Sequence, residues 1–227
     1  MKRNKLIEFD NLYEKSLKGY YFVGIDEVGR GALAGPVIAC AFTWKRKINL
    51  KKNTKTSFLL SILNDSKQLT RVERENLYSL LIKLGDYGLG YASVQEINKL
   101  NILNATFLAM KRAYENMLVT LNKTNQESYL LIDGNKFNPY INSRQSFIVD
   151  GDAKSAVIAA ASVIAKVYRD MLMQKVSQLN MYKKYGWSRN VGYGTLSHRN
   201  AIKKHGVTAL HRKLFVRKTL EQVSVKG

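Results

Sequence analysis

Cysteine, proline and acidic residues are scarce in this chain, and each scarcity removes a class of protein. A single cysteine, Cys40, in 227 residues excludes a disulfide framework and a cysteine zinc cage, and suits a reducing compartment. Only 2 prolines beside a hydrophobic fraction of 45% argue against a disordered chain and for one with a sizeable core. No uninterrupted apolar run approaches the ~20 residues of a transmembrane helix, so no membrane partner is expected. The N-terminal "MKRNKLIEFD" lacks the apolar region of a signal peptide, and a cytoplasmic location is the expectation. There is no "GxxxxGK" loop and no dinucleotide fingerprint, hence no small-molecule organic cofactor is expected.

The shortage of acid is the strongest global signal. Thirty-seven Lys and Arg against 17 Asp and Glu leave a net charge of +20, which calls for a polyanionic partner, nucleic acid before membrane. From Lys183 to Gly227 there are 11 basic residues and one acid, Glu221, and "KRKINLKKNTK" at 45–55 holds six more. Charge of this kind describes binding and says nothing about chemistry.

Apolar and β-branched runs predict strands at 20–26, 36–44, 87–94, 128–133 and 146–149, the first two joined as an antiparallel pair through a glycine-rich reversal. Helical periodicity covers about 71–84, 96–119 and 153–178, with further helices near 197–205 and 208–220. No repeat or low-complexity linker divides the chain. The pattern reads as one α/β domain over 1–227, a mixed sheet with a basic, helical C-terminal part from about 183.

Against the basic background, the acids at strand ends stand out. In "GIDEVGRGALAGP" Asp26 and Glu27 close an apolar strand, and Asp133 closes "YLLIDG". Asp152 follows the last strand in "VDGDAKSAV". Each has a local explanation: an Asp-Gly turn for Asp133, a helix cap for Asp152. Asp170 in "KVYRD" reads as a helix salt bridge, and Asp65 as a loop acid or cap. Taken together, carboxylates converging on one sheet edge without basic partners would repel unless a divalent cation neutralised them. Hard oxygen donors suit Mg²⁺ or Mn²⁺, and such a site in a basic protein points to metal-assisted phosphodiester chemistry. The three histidines, His198, His205 and His211, lack zinc spacing, and phosphate contact or capping is the expected role.

Seven ordered segments, "GIDEVGRGALAGPV", "DSKQL", "LIDG", "GDAKS", "AASVIAKVYRD", "GYGT" and "GVTALHRKLF", resemble bacterial type 2 ribonuclease H, ribonuclease HII, from about residue 20 to 217. The resemblance implies the ribonuclease H-like fold: a five-stranded mixed sheet flanked by helices, with a helical C-terminal part. It implies an endonuclease that hydrolyses the RNA strand of RNA–DNA hybrids and cuts 5′ of ribonucleotides embedded in DNA, leaving 3′-hydroxyl and 5′-phosphate ends. Its four catalytic and metal-holding acids map onto Asp26, Glu27, Asp133 and Asp152. That mapping overrides the cap reading of Asp152 and leaves Asp170 as a helix acid. Gly29, Arg30 and Gly31 resemble the segment that reads the ribonucleotide, whose main-chain groups can bond the 2′-OH that separates RNA from DNA. Tyr193 resembles the tyrosine that packs on the sugar 3′ of that nucleotide, and Ser66, Lys67 and Lys154 are expected on the phosphate backbone. A monomer is expected.

Two departures from the family pattern appear: Ala32 stands where Pro is usual, and Leu214 where Ser is usual. Type 3 relatives carry Thr in place of Arg30 and a long N-terminal domain, so type 2 is the better match. The alternative reading is a non-catalytic nucleic-acid binder whose acids are caps and turns. Four retained acids speak against it, because carboxylates repel phosphate.

Overall fold

The apolar runs become the strands of one sheet. A computed structural model describes residues 5–17, 19–46, 54–63, 69–123 and 127–217. The strands are β1 (Tyr21–Val28), β2 (Val37–Trp44), β3 (Gly85–Ala92), β4 (Ser128–Asp133) and β5 (Arg144–Ile148), in the order β3-β2-β1-β4-β5. β1, β2 and β3 pair antiparallel, whereas β4 lies parallel to both β1 and β5. All five expected strands are present, in the expected mixed arrangement.

The parallel pair is what matters for the site. Ile25 of β1 pairs with Ile132 of β4, so the next residues, Asp26 and Asp133, leave the sheet side by side at its C-terminal edge. Side chains alternate across a strand. Val23, Ile25, Leu130 and Ile132 therefore face α4 (Val94–Leu121) in one apolar layer. On the other face, Leu131 meets α1 (Lys5–Ser16), α2 (Lys55–Ser61), α3 (Arg71–Leu84) and α5 (Ala156–Ser177). Both acids share this second face with α5.

Helix starts follow from short polar residues in the right places. Thr70 with Glu73 and Ser93 with Glu96 form reciprocal capping boxes ahead of α3 and α4. α4 breaks at Asn101, where φ is +66°, and the Asn101 Oδ1 accepts the N–H of Asn104 at 3.1 Å, restarting the helix. α5 opens three residues later than the periodicity predicts. A 3₁₀ turn, Gly151–Ala153, precedes it, and Ser155 rather than Asp152 is its N-cap, accepting from the Ile158 N–H. Asp10 of α1 adds a second acceptor for this terminus, taking the Val157 N–H at 2.9 Å.

Among the described helices, α1 and α2 were not expected from the sequence, nor were two short helices that follow α5. In α1, Leu6, Ile7 and Asp10 are buried and Phe9 and Tyr13 pack against the core, a short stripe with an acid among its inward positions. After α5, the short helices α6 (Asn180–Lys183) and α7 (Trp187–Asn190) and the longer α8 (Leu196–His205) enclose a third core around Trp187. Of the helix expected at 208–220, residues 213–217 are helical, 208–212 form a loop, and 218–220 lie outside the described residues.

The close contact of β1 with α5 depends on Gly24. A Cβ there would stand 2.2 Å from the Val157 carbonyl carbon and 2.4 Å from the Ile158 nitrogen, both main-chain atoms that cannot swing aside. Gly24→Ala should therefore cost at least the upper end of the ~1–3 kcal/mol usual for overpacking. Urea unfolding of the variant measures this, and a midpoint equal to that of the unaltered protein would refute the close approach.

Candidate active site

Asp26, Glu27, Asp133 and Asp152 lie near one another at the ends of β1, β4 and the 3₁₀ turn. Asp26 is 4% exposed and Asp152 7%. The Asp26 Oδ1 accepts the Glu27 N–H at 2.7 Å, and the Asp133 Oδ1 accepts the Gly151 N–H at 2.7 Å. That second bond ties the end of β4 to the turn carrying Asp152. Burial pushes the Asp26 carboxyl well above the ordinary carboxylate range. The charges of Glu27, Asp133 and Asp152 push it further, against the opposing hydrogen bond of Ser162 on α5. Each of the other three acids is thus close enough to act on Asp26. The Cys40 thiol, paired across the sheet with Asp26, is raised by its own burial and by that carboxylate.

The donor set fits a hard divalent cation in its chemistry: four carboxylate side chains, one of them near the Arg30 guanidinium. Among the described residues, no three His, Cys, Asp or Glu side chains stand together as a ready metal shell. Main-chain donors hold one oxygen each of Asp26 and Asp133, and the Arg30 guanidinium lies 3.4 Å from Glu27 Oε1.

The glycine-rich loop after β1 passes directly over α5. Gly29 has φ +91°, and a Cβ on it would meet the Arg169 Nε at 2.3 Å, so only glycine fits. Gly31 opens to free space. Arg30 points outward, with half its side chain exposed. The Ala32 N–H donates to the Gly29 carbonyl at 3.3 Å, a turn bond that a proline at this position could not make. Ala32 also pairs in a β-bridge with Tyr193, which brings the expected sugar-packing ring to the loop. That ring is half-buried, with the Arg169 guanidinium 5.2 Å and the Lys166 ammonium 5.6 Å from its centroid.

The other candidates are scattered. Lys154 is exposed just past the 3₁₀ turn and donates to the Val149 carbonyl. Ser66 and Lys67 lie outside the described residues. Asp170 pairs with Lys166 at 2.8 Å one helical turn away, the salt bridge expected of it. Leu214 is exposed. His198 and His211 depart from the expected phosphate contact, whereas His205 is exposed in the last turn of α8. His198 and His211 are buried, with ring nitrogens bonded inside the protein, so neither is a phosphate contact.

Sequence reasoning missed two buried arginines. Arg169 donates to the carbonyls of Pro36, Val191 and Ala34, and Arg212 to those of Gly35 and Arg30. Both are fully buried. Burial and the charge of Arg169 push the Arg212 guanidinium down to about 9. Together they clamp the loop that carries Arg30. A signal existed for Arg169: it shares a helical stripe with Ser162, Ala165 and Met173, all buried, and a charge on an apolar stripe asks for a partner.

A family model for ribonuclease HII matches residues 23–219. The chain belongs to the ribonuclease HII family. It is 47% identical over 212 residues to the ribonuclease HII of Fusobacterium nucleatum, covering 92% of each chain. To that of Clostridioides difficile it is 41% identical over 223 residues, covering 96% of this chain and 80% of the relative. The ribonuclease H2 structure of Pyrococcus horikoshii superposes with a TM-score of 0.60 at 25% identity, over 88% of this chain and 97% of that one. Ribonuclease HII in the Archaeoglobus fulgidus complex with PCNA gives 0.63 at 21%, over 85% and 93%, and so shares the fold. As a ribonuclease HII family member the chain is an endonuclease of the ribonuclease H class, acting on RNA–DNA hybrids, in a family that depends on divalent metal. Among its described residues no helix is long and apolar enough to cross a membrane.

Crowded carboxylates leave a signature in stability. A carboxyl whose folded pKa is raised binds its proton more tightly folded than unfolded. Its stabilising effect is complete below about pH 3.8 and is lost as pH rises through the raised value. Asp26→Asn removes that charge and keeps an oxygen for the Glu27 N–H. In metal-free buffer at pH 8 its melting temperature should exceed that of the unaltered protein by a few degrees, and the gap should close toward pH 4. A lower melting temperature at pH 8 would mean that the four charges do not repel as argued.

Proposed function

We propose that this chain cuts the phosphodiester 5′ of ribonucleotides embedded in DNA, as well as RNA paired with DNA, leaving 3′-hydroxyl and 5′-phosphate ends. Asp26, Glu27, Asp133 and Asp152 would hold Mg²⁺ or Mn²⁺. When bound, such ions supply Lewis acidity at the scissile phosphate. The observation that carries the reading is the coincidence of three things at one sheet edge: the four carboxylates, the clamped Gly29–Gly31 loop, and Tyr193 bridged to Ala32.

The chain's own groups divide the work. Main-chain groups of Gly29–Gly31 are held by the buried arginines beneath, ready to bond a ribose 2′-OH without reorganising. The Tyr193 ring packs on the neighbouring sugar, where a deoxyribose fits better than a ribose. Arg30 and Lys154, both exposed, meet the phosphate backbone. Main-chain N–H bonds fix the orientation of the Asp26 and Asp133 carboxylates that would hold the metal.

Three carboxamide substitutions test the assignment. Asp133→Asn and Asp152→Asn keep shape and hydrogen bonding but lose a charged ligand. Second-shell changes at metal sites already cost roughly 10–100-fold, so these should lose at least about 100-fold on a DNA duplex carrying one ribonucleotide. Asp170→Asn should stay within about threefold, since a partly exposed helix pair contributes little. An all-DNA duplex is the control. Full turnover by Asp133→Asn, or an essential Asp170 beside a dispensable Asp152, would overturn the mapping.

A further inference from the structure

The two buried histidines form a chain of hydrogen bonds whose direction is fixed by its ends. The Tyr193 carbonyl can only accept, so His198 Nδ1, 2.9 Å away, carries a hydrogen and donates. His198 Nε2 is then a lone pair, and the donor-only indole of Trp187 gives it a hydrogen at 2.9 Å. On His211, Nδ1 accepts the Thr208 N–H at 2.9 Å, which leaves the hydrogen on Nε2, directed at His198 Nε2 at 3.2 Å. With His198 carrying its hydrogen on Nδ1 and His211 on Nε2, no two hydrogens face each other, and Trp187 and His211 share the one lone pair of His198 Nε2. A proton added to His198 would set three donors against one another.

The main chain that this network holds is held against strain. Val191, two residues before Tyr193, has φ +41°, a left-handed conformation that a β-branched residue rarely adopts. Arg169 fixes its carbonyl at 2.9 Å, and the Asn190 Oδ1 accepts the Gly192 N–H at 2.9 Å. The Tyr193 carbonyl itself receives the Thr195 N–H at 2.8 Å as well as the imidazole. His198 stands on the first turn of α8, capped by Thr195 at 3.3 Å, so the helix start and the tyrosine are one unit.

We propose that His198, oriented by Trp187 and His211, is a positioning residue that aims Tyr193 at the sugar beside the cleavage site. The proposal rests on the reading of Tyr193 as the sugar-packing ring. It requires both imidazoles to be neutral. Burial lowers both, and the neighbouring ring takes His211 down to about 4. The groups facing the pair are the rings of Tyr185 and Trp187 and the Thr208 hydroxyl, with Lys184 above the Tyr185 ring. Among the described residues no carboxylate contributes to either titration.

Two isosteres separate positioning from mere packing. His198→Asn places an amide N–H where Nδ1 donates to Tyr193 and gives up the Trp187 side. His198→Gln can accept from Trp187 and His211 but loses the tie to Tyr193. Melting temperatures are measured alongside kcat and KM on a duplex with one ribonucleotide, with Tyr193→Ala for reference. At similar melting temperatures, His198→Asn should stay within about threefold in kcat/KM, while His198→Gln should lose about tenfold or more, approaching Tyr193→Ala. Equal losses in the two variants, tracking stability, would overturn the inference. So would an undiminished His198→Gln beside an impaired Tyr193→Ala, which leaves the Tyr193 reading intact. An unimpaired Tyr193→Ala would remove that reading and the inference with it. If a variant fails to fold, ¹⁵N imidazole spectra of the unaltered protein decide: His198 protonated at Nδ1 and His211 at Nε2 support the proposal, and the reverse assignment for His198 refutes it.

Discussion

Mutual repulsion of carboxylates at one end of the sheet is the constraint that the rest of the molecule has to bear. Asp26 and Asp133 are neighbours because β1 and β4 run parallel, and the 3₁₀ turn after β5 brings Asp152 to the same corner. No packing of apolar groups favours such an arrangement. It persists because the layers on both faces of the sheet, with α5 and α4, fix the strand register independently of the acids. A one-residue slip would turn every side chain to the wrong face, so the register that buries Ile25 and Ile132 also sets the two carboxylates side by side.

The loop beside the acids is held in an unusual way. Arg169 and Arg212 are buried cations whose recorded partners are five main-chain carbonyls, not carboxylates. Burying a charge is costly unless its hydrogen bonds are made: Arg169 bonds through all three of its nitrogens, whereas Arg212 bonds through Nε and Nη1 and leaves a buried Nη2 without a partner among the described residues. The result is a rigid joint between the Gly29–Gly31 loop, the Tyr193 segment and the C-terminal helices. An aspartate in place of these carbonyls would neutralise the arginines but would add another anion to an already crowded corner.

Much of the architecture was legible because its strands are written plainly. "SYLLID" spans β4 to the residue, and the acid closing it is the one that reaches the site. The place of Asp152 beside the other acids was not legible from its neighbourhood alone, where a cap was the simpler account. Ser155 does the capping, as the backbone turn between them decides. α1 escaped notice because its inward stripe of Leu6, Phe9, Asp10 and Tyr13 is short and has an acid at its centre. The histidines misled for a related reason: their spacing in the chain says nothing about rings that meet only when α7, α8 and the 208–212 loop fold together.

The amino-acid sequence by itself determined the polyanionic partner, the strand-terminal acids and the glycine-arginine-glycine loop, since charge, burial pattern and backbone freedom are properties of local residues. It determined family membership through motifs that keep their order. Tertiary structure alone decided that Asp26 and Asp133 are adjacent, because a parallel pair joins segments some hundred residues apart and no local signal records which strands will pair. It decided, too, that two arginines of a basic chain are buried clamps while others face solvent. Last, it chose the tautomers of His198 and His211, because a proton settles on one ring nitrogen only when folding has brought its acceptor within reach.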